Sequence, residues 1–204
     1  MQPFTEIVSI AAPLPRRNVD TDVIIPLRRL TSLLPEQLGP YAFEALRYIS
    51  EGTENPDFVL NRPVYRNAQI IVAGPNFGCG SSREGAVWAL MSHGIRCVIA
   101  SGFGDIFFDN CFQNGLLPAR LPQEEVDRLM TFAETAQPLH VDLRQQRIAA
   151  GKYTIRFEID AWRKEALLLG LDGIQLTLRD RGTIERWQDQ DRSQRVWAWL
   201  PDPG

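Results

Sequence analysis

Between residues 69 and 134 the chain switches repeatedly between short, wholly apolar runs and apolar positions at helical spacing. Ile70-Ile71-Val72-Ala73 is apolar throughout, as in a strand buried on both faces. The spacing of Ala86, Val87, Ala89, Leu90 and Met91 predicts a helix over 82–92, stopped by Gly94; a second apolar run at 96–100 closes a βαβ unit. Gly102-Phe103-Gly104-Asp105 caps a helix over 106–113, which Gly115 ends, and 116–121 reads as a third strand. Pro122-Gln123-Glu124-Glu125 opens a further helix with acids in its first turn and Val126, Leu129, Met130 and Ala133 as its apolar stripe.

The flanks are less regular. Residues 4–10 begin as a strand, and Pro13, Pro15 and Asn18 break it. Val23-Ile24-Ile25-Pro26 is a short apolar segment closed by proline. Residues 27–57 are irregular, with two helical turns expected at 41–49; a connection this long is functional or mobile. After Gln137 the period becomes two: 140–143 and 153–159, around Ala150-Gly151, predict antiparallel strands. Asp160 caps a helix running to Leu169, with Gly170 at its end. Residues 183–204, polar with Trp187, Trp197 and Trp199, read as a helical or loose tail.

Composition narrows the function classes. The 204 residues suit one domain with a tail, here 1–180 and 181–204. A net charge of −3 gives no basic stripe for nucleic acid. No apolar run approaches the ~18 residues of a membrane span, and the N-terminus lacks a basic signal region. The 3 cysteines form no CxxC pair, which suits reduced thiols in the cytoplasm. With only 2 histidines besides, a metal site within the chain is not expected. His93, near a helix end, reads as a C-terminal cation.

The candidate chemistry lies in the strand-to-helix turn 74–85. Its Gly78 and Gly80 do not complete a Rossmann fingerprint, because Arg83 stands where the third glycine belongs; the P-loop Gly-Lys-Ser/Thr is also missing. Unpaired N–H groups and the helix dipole favour an anion at such a turn. Gly80 allows close backbone approach, Ser81 and Ser82 offer hydroxyls, and Arg83 offers a bidentate fork for a carboxylate. The other reading makes Ser82 a helix cap and leaves Arg83 solvated. In 18–26, Asp20 and Asp22 flank Thr21: the acids either close a turn or deliver polar groups to a site. Cys79 fills the tight turn, with no histidine near in sequence to act as its base.

Residues 18–26 (NVDTDVIIP) and 76–84 (NFGCGSSRE) resemble the small subunit of 3-isopropylmalate dehydratase, as do Asp57-Phe58-Val59-Leu60-Asn61, 98–108 (VIASGFGDIFF), 114–118 (NGLLP) and 170–178 (GLDGIQLTL). The resemblance spans about residues 1–180. It implies an α/β fold, the three-layer β/β/α swivel domain of the aconitase superfamily. It implies a large-subunit partner that holds a [4Fe-4S] cluster which this chain does not ligate. The pair would isomerise 2-isopropylmalate, a small hydroxy dicarboxylate, by dehydration and rehydration in leucine biosynthesis. By position, Ser81 matches the catalytic base, Asp22 an acidic active-site residue, and Ser82 and Arg83 the carboxylate-binding neighbours.

Two departures stand out. The family pattern Ser-Ser-Arg-Glu-His-Ala-Pro-Trp has Gly85 in place of its histidine. The usual Thr-Arg-Thr-Gly-Phe-Gly stretch of the substrate loop reads Leu33-Leu34-Pro35-Glu36-Gln37-Leu38-Gly39, so Arg28 or Arg29 is expected to replace its arginine. These departures leave room for a paralogue acting on citramalate, homoaconitate or a related malate derivative, or for a non-catalytic binding module.

Overall fold

The computed structural model describes residues 1–50 and 52–199. Strand β1 (Glu6–Leu14) opens the chain, followed by single-turn helices α1 (Thr21–Ile24), α2 (Leu27–Leu30) and α3 (Glu44–Arg47) and a small hairpin, β2 (Tyr48–Ser50) and β3 (Thr53–Glu54). The alternating block comprises β4 (Ile70–Ala73), α4 (Glu84–His93), β5 (Cys97–Ala100), α5 (Asp105–Asn114), β6 (Leu117–Arg120) and α6 (Gln123–Glu134). Then come β7 (Pro138–Asp142), β8 (Arg147–Ala150), β9 (Tyr153–Arg156), α7 (Ala161–Leu169), α8 (Gly173–Leu178) and α9 (Arg181–Gln194).

The seven-stranded sheet has the order β6-β5-β4-β1-β7-β8-β9. β1 belongs to two halves. Residues 11–14 pair in parallel with β4, and residues 6–10 pair antiparallel with β7. The sheet curls so that both halves line one core, where Ile70, Val72, Cys97, Ile99 and Leu117 join Leu139, Val141, Ile148 and Ile155. The alternate residues Ile71, Ala73, Val98 and Ala100 face the other way, into a second core with Ala86, Val87 and Leu90 of α4 and Phe107 of α5. Two β layers and a helical layer result, as the resemblance implied. The parallel strands are apolar throughout because each feeds both cores, whereas β7–β9 alternate because one face meets water.

Two prolines sit inside strands. The Leu14 carbonyl accepts from the Gly74 N–H, so Leu14 faces β4 and Pro13, its neighbour, turns its missing N–H away, where the pairing with β7 has ended at Ile10. Strand β1 therefore runs through Pro13 instead of breaking there. Pro118 lies on the edge strand β6; Leu117 donates to Arg96 in the direction of β5, so Pro118 faces outward.

Residues 27–47 are folded along α4. Leu38, Ala42 and Phe43 are buried. Gly39 lies so close to the end of α4 that a Cβ there would be 2.4 Å from the Ser92 carbonyl oxygen. The Arg47 guanidinium is buried and donates to Asn61 Oδ1 at 3.1 Å, to the Gly39 and Pro40 carbonyls at 3.4 and 3.3 Å, and to His93 Nδ1 at 3.4 Å. These acceptors offset the cost of burying the charge. Burial, reinforced by Arg47, pushes the His93 pKa down to about 4. His93 is therefore neutral at pH 7, and the expectation that it serves as a helix C-terminal cation is corrected: the site is too dry and already holds a positive charge. In the tail, α9 has no buried residue and Trp199 Nε1 donates to Asp191 Oδ2 at 3.0 Å. Among the described residues no helix is long and apolar enough to cross a membrane.

Candidate active site

The turn after β4 is the middle rung of a short ladder built beyond the C-terminal ends of β1, β4 and β5. On one side Asn18 N–H donates to the Pro75 carbonyl at 3.0 Å, Gly78 N–H to Val19 at 2.7 Å and Thr21 N–H to Cys79 at 3.0 Å. On the other, Phe77 N–H donates to Gly102 at 3.0 Å and Gly104 N–H to Phe77 at 2.9 Å. Parallel bridges Asp20/Cys79 and Phe77/Phe103 result. Ligands favour this crevice in open parallel sheets.

Glycines let three chain segments come this close. Gly78 has φ +70°, and a Cβ on it would stand 2.2 Å from Cγ of Phe107. The loop therefore lies flat on an aromatic floor, where the Phe77 and Phe107 rings are 5.5 Å apart and edge-on. Gly80 has φ +89° and passes Asp20, whose Cβ would be 3.3 Å from a side chain there. Buried Thr21 completes the setting by donating its hydroxyl to the Ser81 carbonyl at 2.9 Å.

The side chains on this frame face outward. Ser81 and Ser82 are exposed, and their hydroxyls make no hydrogen bond among the described residues. Helix α4 starts at Glu84, two residues later than the apolar spacing suggested; its cap position is Arg83, which makes no side-chain capping bond. Ser82 is thus not a cap, and the first N–H groups of α4 have no side-chain cap. Arg83 forms an ion pair with Asp22. The two acids of 18–26 divide the work: Asp20 Oδ1 accepts from Val23 N–H at 2.7 Å and caps α1, while Asp22 meets the guanidinium. Asn114 donates to Glu84 Oε1 at 2.8 Å and accepts from Trp88 Nε1 at 3.0 Å, fixing the first turn of α4.

Arg28 and Arg29 lie apart from this cluster, on α2. Both hold Glu44: Arg28 Nη2 at 2.9 Å, Arg29 Nη2 at 2.6 Å and Arg29 Nε at 3.1 Å. The Arg29 guanidinium also lies over the Tyr41 ring, 3.9 Å from its centroid. Together with Tyr48 these residues line an open cleft of about 590 Å³. The Arg29 hydrogen bond, and then its charge, lower the Glu44 pKa, so this carboxylate is ionised at neutral pH. The next residue, Leu30, reaches Gly85 on α4.

Cys97 and Cys111 are sealed in the core, and burial pushes both thiols up. Neither fits as a cluster ligand, which must be a thiolate. Among the described residues, no group of three or more His, Cys, Asp or Glu side chains is arranged to hold a metal ion. Thr21, Phe107, Glu44 and Leu30 were not singled out in the sequence. Thr21 stands out in the sequence only as the residue between two acids, and the other three act through contacts with residues far along the chain.

The matches with known proteins follow the same lines. Residues 1–124 match the model of the aconitase C-terminal domain. The 3-isopropylmalate dehydratase small subunit of Dinoroseobacter shibae is 52% identical over 201 residues, covering 97% of this chain and 100% of that protein. That of Nitrobacter hamburgensis is 50% identical over 203 residues with the same coverage. The crystal structure of 3-isopropylmalate dehydratase from Methanocaldococcus jannaschii superposes with a TM-score of 0.64 at 29% identity, covering 90% of this chain and 99% of that one.

Proposed function

The chain belongs to the family of 3-isopropylmalate dehydratase small subunits, built on the aconitase C-terminal domain, and we propose that Ser81 and Arg83 make it the proton-transferring half of that hydro-lyase. The reaction interconverts 2-isopropylmalate and 3-isopropylmalate by loss and return of water, in leucine biosynthesis. The observation that carries the reading is the exposed Ser81 hydroxyl, set by backbone hydrogen bonds at the start of α4 and two residues from a paired guanidinium.

Ser81 Oγ is the base. It takes the proton from the carbon next to the hydroxyl-bearing one as the hydroxyl leaves as water. On rehydration the hydroxyl adds to the carbon that lost the proton, and the proton goes to the carbon that lost the hydroxyl. A serine at its ordinary pKa is too weak a base for this and needs its alkoxide stabilised. Open N–H groups at the first turn of α4, the helix dipole and Arg83 supply that positive potential. Ser82 and Arg83 bind the substrate carboxylate, with the backbone at Gly80 leaving room for it. Asp22 orients Arg83 until the substrate carboxylate arrives. Arg28 and Arg29 face the substrate from the loop along α4.

A large subunit completes the site. The [4Fe-4S] cluster implied by the family is assigned to that partner, since the buried thiols here do not suit it. A cytoplasmic location suits these reduced thiols. Mixing the chain with its large subunit under anaerobic conditions tests the reading. Turnover of 2-isopropylmalate is expected only with both chains, and Ser81→Ala should lower it by roughly 10³-fold while leaving assembly intact. An S81A complex with near wild-type turnover refutes the assignment of the base.

A further inference from the structure

Gly85 lies in the first helical turn of α4, two residues after Arg83, and is buried. Its backbone does not require glycine, since its φ is not positive. The demand comes from outside the helix: a Cβ at position 85 would stand 2.4 Å from Cδ2, 2.7 Å from Cδ1 and 3.1 Å from Cγ of Leu30. Leu30 therefore occupies the space that any side chain at 85 would fill. Leu30 also ends the turn that carries Arg28 and Arg29. On its far side that turn is tied to Glu44, so the arginines are fixed at two points, the Glu44 fork and the Leu30 contact.

We propose that Gly85 is a positioning residue, a seat for Leu30 that fixes how far the arginine turn stands from the serine loop. The two groups then grip the ends of one substrate at a set separation. The inference rests on the reading of Arg28 and Arg29 as substrate-binding residues. It also explains a local anomaly: glycine is less favourable than alanine inside a helix, so with no such role Gly85→Ala would be neutral or stabilising.

The test uses the assembled two-subunit enzyme. Gly85→Ala is expected to raise KM for 2-isopropylmalate about five-fold or more with kcat within about two-fold, because it displaces the grip and leaves Ser81 in place. Leu30→Ala should raise KM as well. In the double variant the added Cβ has nothing left to displace, so its KM should equal that of L30A alone, not the product of the two effects. An unchanged KM in G85A, or multiplicative effects in the double variant, overturns the proposal. If G85A fails to assemble, Leu30→Val shortens the side chain without touching α4, and an unchanged KM there overturns it equally. Arg28→Ala and Arg29→Ala separate the two layers of the argument. If neither changes KM, the substrate-binding reading of the turn falls. If either raises KM and G85A does not, only the seat falls.

Discussion

The serine loop and the arginine-bearing segment flank the same helix but are held in different ways. Residues 77–81 are fixed by main-chain hydrogen bonds to two neighbouring segments and by glycines pressed on Phe107 and Asp20. Residues 27–47 are fixed mainly by side chains: Leu30 on Gly85, the Arg28/Arg29 fork on Glu44, and Arg47 against His93 at the far end of α4. A backbone ladder has nearly the same geometry whatever the side chains are. A fork of charges can be retuned by one substitution. The proposed roles thus place the proton step on the rigid element and substrate fit on the adjustable one.

Substitutions can break this contrast, and the largest effect is expected on the rigid side. Ser81→Ala in the assembled enzyme should lower kcat by roughly 10³-fold, within the range for a lost general base, with KM little changed. Steady-state kinetics would check it, and a loss confined to KM would move Ser81 from chemistry to binding. Gly78→Ala attacks the ladder itself. Its Cβ would enter the Phe107 ring from a left-handed backbone, at a cost of about 3 kcal/mol and a Tm drop of roughly 6–12 °C. Calorimetry showing no drop would mean that the aromatic floor yields easily.

On the adjustable side, stability should depend on pH through His93. Its folded pKa of about 4 lies below its ordinary 6.5, so the protein holds it neutral. That contribution is fully present above pH 6.5 and is lost as pH falls toward 4. Unfolding free energy should drop by about 1–2 kcal/mol between pH 7 and 5. His93→Gln should flatten this slope, as urea titrations at the two pH values would show. The smallest effect belongs to Glu44. Because its Arg28 partner is largely exposed, Glu44→Gln should raise KM only about three- to five-fold, with kcat little changed. A larger loss, or one in kcat, would show that the fork acts on the serine loop and that the two regions are not independent.

Much of this arrangement is readable from the chain, for reasons that differ by element. The strands β4, β5 and β6 and the helices α5, α6 and α7 announce themselves through periodicity because each buries a fixed face. Strand β1 shows only its first part, because a proline whose missing N–H points away from its partner strand leaves no trace of that direction in sequence, so the continuation through Pro13 is hidden. The start of α4 is hidden, since Ser82 looks like a cap whereas the backbone is still extended at Arg83 and Ser81 is held by Thr21. The serine loop is legible as a candidate site because its residues are contiguous. Glu44 and Leu30 were not, since the first pairs across 15 residues and the second across 55, where local pattern carries no information.

The outward-facing hydroxyl of Ser81 has a consequence for how the activity is switched on. In its proposed role, a serine exposed to bulk water is too weak a base to act by itself. That role therefore requires another protein to dry it. On that proposal output follows the concentration of assembled pairs, so that at low abundance the rate should fall with the square of dilution, and limiting either chain alone should silence the step.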